Sequence, residues 1–189
     1  GKILLPVTLA AALLSLTACG SGDSANTSTI TSITNETSVT ASTVNGEVPY
    51  TFFDDTVFVG DSVSLKLNLY VSAQRKTDST FMGTAQFLTP GSYGTGNELK
   101  ELGSENSVHP SYNGTEMYLA DAIEAMGAKK VFIMLGMNDI AVYGNDGAVK
   151  NMETVLAQIK EKNPDTAIYV QSMTPIVGTA QTGSLTNEN

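Results

Sequence analysis

The sequence holds one cysteine, one histidine and no tryptophan in 189 residues. A single thiol closes no disulfide within the chain. One cysteine and one histidine also fall short of the ligands a Cys/His zinc site needs. Basic residues are few: ten Lys and Arg stand against nineteen Asp and Glu, a formal net charge of −9. No Lys/Arg cluster interrupts that balance, so the basic footprint that nucleic-acid binding requires is missing. Long apolar runs are absent too. The longest stretches from Ile3 to Leu16, short of the roughly 20 residues of a membrane-spanning helix.

That run has the length of a secretory signal, preceded by Lys2 and ending in Leu16-Thr17-Ala18-Cys19. The tetrapeptide resembles the lipobox of bacterial lipoproteins. The resemblance implies cleavage before Cys19, lipid attachment there, and an extracytoplasmic protein held to the membrane by its N-terminal lipid. Residues 20–48 follow, rich in Ser and Thr and free of aromatic residues. Such a segment cannot bury a core and reads as a flexible tether.

From residue 49 the pattern is that of one globular domain. Thr56 to Val59 reads as a short buried strand, and Ser79 to Met82 as a second. Residues 63–73 carry two periods at once. Val63, Leu65, Leu67 and Leu69 alternate as in a strand, while Val63, Leu67, Tyr70 and Val71 share a helical face. Thr115 reads as the cap of a helix running to Met126, with Leu119, Ala122, Ile123 and Met126 inward and Gly127 as its stop. "KVFIML" (130–135) is a continuous apolar run of strand length. Residues 147–162 place Val149, Met152, Val155, Leu156 and Ile159 on one face of a helix that Asn163-Pro164 closes. "AIYVQSM" (167–173) is a further strand. Helix and strand in alternation predict a three-layer α/β/α parallel sheet of flavodoxin-like type, and that topology favours a helix over 63–73. Residues 84–114 have no clear period and read as a long irregular loop, and such loops tend to be functional or mobile. Gly91, Gly94 and Gly96 lie in it, but no Gly-Lys-Ser/Thr follows to make a phosphate loop.

Two strand ends carry unusual polar residues. Val57-Phe58-Val59 runs into Gly60-Asp61-Ser62, and Phe132-Ile133-Met134-Leu135 runs into Gly136-Met137-Asn138-Asp139. Either alone suits a turn followed by a helix cap. Together, Gly60-Asp61-Ser62-Val63 and Gly136-Met137-Asn138-Asp139 resemble the first and third blocks of the SGNH hydrolases, also called GDSL esterases and lipases. The resemblance covers about residues 50–189, with Val63 where the family usually has Leu. It implies a serine esterase. Ser62 would be the nucleophile, with its own N–H in the oxyanion hole, and Asn138 would add a side-chain donor. A glycine after the second strand would give the third donor, here expected at Gly83, with Gly91 and Gly94 as alternatives. Asp61 and Asp139 would orient their loops, with Gly60 and Gly136 making the turns. No metal or organic cofactor is implied.

The family's general base is a histidine in an Asp-x-x-His block after the last strand. His109 stands before the third strand, with Asn106 three residues upstream and Pro110 following, so it reads as a loop or substrate-contacting residue. The expectation is that the catalytic Asp and His lie beyond residue 189 and that these 189 residues alone are inactive. The expected substrate is a small ester or an acylated carbohydrate. Alternatives are a surface binding lipoprotein that has lost catalysis, an O-acyltransferase using the same serine, and an unrelated flavodoxin-like domain with a phosphorylated cofactor.

Overall fold

Four short strands lie side by side in parallel, in the spatial order Gln86–Leu88, Thr56–Gly60, Lys130–Met134 and Ala167–Val170, in the computed structural model of the chain. The structure describes residues 48–183 and 185–188. The expected signal segment with Cys19, and the tether apart from Val48, lie outside the described residues. The strands are β1 (Thr56–Gly60), β2 (Gln86–Leu88), β5 (Lys130–Met134) and β6 (Ala167–Val170). A two-stranded antiparallel hairpin, β3 (Ser111–Tyr112) and β4 (Thr115–Glu116), stands apart from this sheet. Helices α1 (Ser62–Gln74), α2 (Thr95–Glu98), α3 (Leu119–Ala125) and α4 (Met137–Lys162) connect these elements. The order is that of a flavodoxin-like α/β fold, as the alternating pattern predicts.

Strand alternation sorts the side chains into two faces. Val57, Val59, Val131 and Ile133 point to one face, where Leu119, Ala122 and Ile123 of α3 and Val155 and Ile159 of α4 cover them. Phe58 points to the other, packed with Val71 of α1 and with Phe81, Met82 and Ala85. On this second face a row of aromatic rings crosses the sheet. Phe87, Phe58, Phe132 and Tyr169 stack in turn, with centroids 5.4, 5.2 and 4.7 Å apart. All four are paired residues in register, Phe87 with Phe58, Phe58 with Phe132 and Phe132 with Tyr169, so the ladder follows from the pairing of neighbouring strands across the whole sheet.

Several expectations need correction. The ambiguous stretch after β1 is helix α1, but its apolar residues do not share one face. Val71 is buried, while Leu69 and Tyr70 are 62% and 54% exposed. Residues 79–82 are turns rather than a strand, and the second strand is the shorter segment β2. The helix expected from Thr115 begins at Leu119, because Thr115 pairs with Tyr112 in the hairpin. Its inner residues Leu119, Ala122 and Ile123 are buried as expected, and Gly127 follows its end at φ +64°. Helix α4 starts ten residues earlier than expected, with a bend where Gly144 takes φ 66° and ψ 179°. Within it Val155 and Ile159 are buried, while Val149 is 59% exposed and leaves the inner stripe. The strand expected over 167–173 pairs only through Val170.

Candidate active site

Chain order reverses at β1. The chain passes from β1 to β2 on one side, then crosses back to β5 on the other. In open parallel sheets this reversal leaves a crevice beyond the carboxyl ends of the two diverging strands, where ligands bind. Gly60 of β1 pairs with Met134 of β5, so the segments 60–63 and 136–139 leave the sheet as neighbours at this point. Asp61 and Val63 from the first, and Met134 and Met137 around the second, line one shallow depression with Met173 and Thr174.

The two segments share a plan. In each, a buried carboxylate sits beside an exposed polar side chain. Asp61 is buried and its Oδ1 accepts the Val63 N–H at 2.8 Å, capping α1. Ser62 beside it is exposed at the first helical position. Its N–H precedes the first intrahelical bond, from Leu65 N to Asp61 O, and is one of the donors a helix start leaves unused. The helix dipole adds positive potential there. Gly60 ends the strand, with Ser64 Oγ 2.0 Å from where a Cβ would stand.

In the second segment Asn138 is exposed and Asp139 is buried. Gly136 makes the turn at φ +132°, a region closed to other residues without strain. Asp139 reaches across to α2: Oδ2 accepts the Thr95 N–H at 2.9 Å and Oδ1 the Gly96 N–H at 2.7 Å. Asn138 Nδ2 donates to the Tyr93 carbonyl at 2.8 Å. An amide group carries two N–H donors, so one fixes the side chain on the β2 segment and the second is left for another acceptor.

The third glycine is where the expectation fails. Gly83 precedes β2 instead of following it. Its N–H donates to Thr80 O at 2.9 Å, and its carbonyl accepts from Arg75 Nη2 at 3.0 Å. Arg75 follows the last turn of α1, about 20 Å along that helix from Ser62. Gly83 therefore sits at the amino end of the sheet, and the chemistry of this edge is closed to it. Gly94 is buried and its position is taken by the Asp139 carboxylate, 2.9 Å from where a Cβ would stand. Gly91 is exposed three residues beyond the end of β2, with open space around it.

His109 lies in irregular backbone, as the sequence suggests, but not on the surface. Its side chain is fully buried, with Nδ1 3.3 Å from Glu98 Oε2. Its Nε2 has no hydrogen-bond partner among the described residues. It touches neither solvent nor Ser62 Oγ, which excludes it as a substrate contact and as the base of Ser62. Glu98 is buried as well. Its Oε2 accepts the Tyr93 hydroxyl at 2.8 Å and its Oε1 the Leu119 N–H at 2.6 Å. Burial pushes the Glu98 carboxyl above the usual glutamate range, against the pull of the Leu119, Tyr93 and His109 donors. Burial and the neighbouring Glu98 charge push the Tyr93 hydroxyl well up, so it stays a donor.

Nothing in the sequence marks Tyr93, Glu98 and His109 as a group. The residues lie in the stretch without period, and only their burial marks them. Beside the depression, a cavity of about 360 Å³ opens between the start of α4 and the segment after β6, lined by Met137, Ile140, Met173, Pro175, Ile176 and Leu185 among others. Among the described residues no three His, Cys, Asp or Glu side chains gather where a metal ion could sit.

No protein-family model matches the sequence, and no curated protein matches it. One similar solved structure is that of a family two carbohydrate esterase from Clostridium thermocellum in complex with cellohexaose. The match covers 66% of this chain and 44% of that one, at 14% identity and a TM-score of 0.42. The chain thus spans less than half the length of the structure it matches. A likeness this slight carries no argument about activity. What the chain itself defines is a parallel α/β domain with exposed serine and asparagine groups at its switch point.

Proposed function

We propose that this chain carries the nucleophile and oxyanion donors of a serine esterase of the SGNH type, acting on carboxylic esters. The observation that carries the reading is the placement of exposed Ser62 and exposed Asn138 on neighbouring strand ends, each beside a buried, hydrogen-bonded aspartate. In the proposed reaction Ser62 Oγ bonds to the acyl carbon as its proton passes to a general base. The carbonyl oxygen takes the negative charge, facing the Ser62 N–H, the second Asn138 Nδ2–H and the Gly91 N–H. Collapse of the tetrahedral intermediate breaks the ester bond, and the alcohol leaves with the proton from the base. Water then attacks the acyl-serine by the reverse sequence and releases the acid. Asp61 and Asp139 orient the two segments in this scheme, Asp61 Oδ1 holding the Val63 N–H and both Asp139 oxygens holding the Thr95 and Gly96 N–H groups.

The base is a residue other than His109, and the reading assigns it to an Asp-x-x-His block in a further segment of the polypeptide. The proposed substrate class is acylated carbohydrate. It rests on the polar tether expected over residues 20–48, which would hold the domain out from a lipid-anchored Cys19 into the surroundings of the cell. The full-length protein assayed with p-nitrophenyl acetate, beside its Ser62→Ala variant, tests the activity. Turnover that disappears with Ser62 supports the reading, and turnover that survives it refutes the reading.

A second reading keeps the scaffold and drops the chemistry. It is favoured by one observation: the chain's sole imidazole is committed to Glu98 and offers nothing to Ser62. A surface binding protein of this kind shows no Ser62-dependent turnover at any pH, and the same assay separates the two.

A further inference from the structure

We propose that the buried group Tyr93, Glu98 and His109 is the positioning element of the oxyanion site, acting through the Tyr93 carbonyl on Asn138. The inference rests on the esterase reading and adds to it residues that no block of the resemblance contains.

The argument begins with Asn138. An exposed asparagine on the first turn of a helix samples several rotamers, and each costs alignment toward a developing anion. Here one amide hydrogen is spent on the Tyr93 carbonyl at 2.8 Å. The aim of the second hydrogen is then only as good as the placement of that carbonyl. The carbonyl belongs to the irregular segment after β2, which has no sheet or long helix to hold it.

Three buried contacts supply the missing rigidity. The Tyr93 side chain is fully buried and its hydroxyl is tied to Glu98 at 2.8 Å. Glu98 is tied in turn to the Leu119 N–H at 2.6 Å, at the start of α3, whose Leu119, Ala122 and Ile123 sit in the core. His109 closes the group at 3.3 Å from Glu98 Oε2, its ring set edge-on to Tyr118. The chain of contacts therefore runs from the core through Leu119, Glu98 and Tyr93 to Asn138. Asp139 adds a second tie from the same turn, to the Thr95 and Gly96 N–H groups.

A carboxylate hidden among apolar residues is costly unless its lone pairs are filled. Three donors from three separate parts of the sequence converge on Glu98. For stability alone, an apolar residue of similar volume would serve as well or better. What the polar group adds is a fixed geometry for residues 93–98, and the face of that segment turned to the strand ends carries the carbonyl that Asn138 uses.

The test is a double-mutant cycle on the full-length protein with p-nitrophenyl acetate. Tyr93→Phe keeps the ring and removes the hydroxyl. Glu98→Gln serves as the second variant should the first fold poorly, with circular dichroism and thermal melting as the check on folding. The expected result for either is a kcat lower by about 10-fold with KM within 2-fold of wild type. In an Asn138→Ala background the same change is expected to leave kcat unaltered, since the group acts only through Asn138. A merely structural role would lower both backgrounds alike. An equal loss in both, or no loss in either, alongside Ser62-dependent activity overturns this inference and leaves the esterase reading standing. Absence of Ser62-dependent turnover in the wild-type protein removes both.

Discussion

The Asp139 carboxylate accepts the Gly96 backbone N–H at 2.7 Å, joining residues 43 positions apart. Its other oxygen holds the Thr95 N–H. A single side chain from the turn after β5 thus caps α2, at the end of the segment that follows β2, and ties that segment to the start of α4.

Asp139→Ala should therefore be among the most damaging single changes in the domain. It leaves two buried N–H donors without acceptors, at about 1–3 kcal/mol each. The expected loss is about 2–5 kcal/mol by urea denaturation, with the midpoint shifted and the slope unchanged. Asp61→Ala removes one helix cap and should cost about 1 kcal/mol. Asp61→Asn should restore most of that. Equal costs for Asp61→Ala and Asp139→Ala would contradict this division of roles.

Gly96 lies under the Tyr143 ring, with ring carbon Cε2 2.2 Å from where a Cβ would stand. Gly96→Ala must push Tyr143 aside and should destabilise by about 1–3 kcal/mol. Tyr143 is 43% exposed and can be removed without opening the core. In a Tyr143→Ala background the cost of Gly96→Ala should fall to less than half. Strict additivity of the two changes would show that some other neighbour blocks the methyl.

Glu98 should leave a mark on the pH dependence of stability. Its carboxyl is pushed up, chiefly by burial. The folded state then keeps this proton to a higher pH than the unfolded chain, where glutamate titrates near about 4.3. The contribution is present in full below that value and is lost as pH rises through the folded-state pKa. Wild type minus Glu98→Gln stability should therefore fall as pH rises above the unfolded-chain value of about 4.3, measured by denaturant midpoints. A difference that grows with rising pH would mean that the donors around Glu98 outweigh its burial.

Gly83 separates fold from chemistry. At φ +53°, with Asp54 Oδ1 2.3 Å from where a Cβ would stand, Gly83→Ala should lower the melting temperature. In the full-length protein it should leave kcat/KM within 2-fold at a temperature where the variant stays folded. A loss of 100-fold or more would restore Gly83 as an oxyanion donor, since removing one such donor costs about 10²–10³ in kcat.

Much of the sheet was legible in the sequence, for a plain reason. β1 is buried on both faces, and β5 is buried on one and half-buried on the other, so both show as continuous apolar runs, and their polar exits stand out against them. Helix α1 could be read only from topology. Its alternation of Leu with Ser, Lys and Asn mimics a strand, and the structure leaves Leu69 and Tyr70 exposed, so no helical stripe was there to find. β2 was misplaced because Gln86–Leu88 is three residues long, while Phe81-Met82 next to it is just as apolar and packs as a turn. The hairpin did have a signal. Asn113-Gly114 between Tyr112 and Thr115 is a two-residue turn pair, and both residues have positive φ, 50° and 79°. Thr115, which follows that turn, has the side chain of a helix cap as well, and the two signals compete at one position. The group around Glu98 had no local signal, because its burial depends on donors contributed by residues 93, 109 and 119.

The central claim is that Ser62 is an activated nucleophile, and the most direct measurement of it is covalent. The full-length protein incubated with a fluorophosphonate, then digested and mapped by mass spectrometry, should carry one phosphonyl adduct, on Ser62, with fluoride displaced. Asn138→Ala should slow its formation by about 10²-fold or more. A protein that stays unlabelled at Ser62, or is labelled at another serine at the same rate when Ser62 is replaced by alanine, would contradict the account.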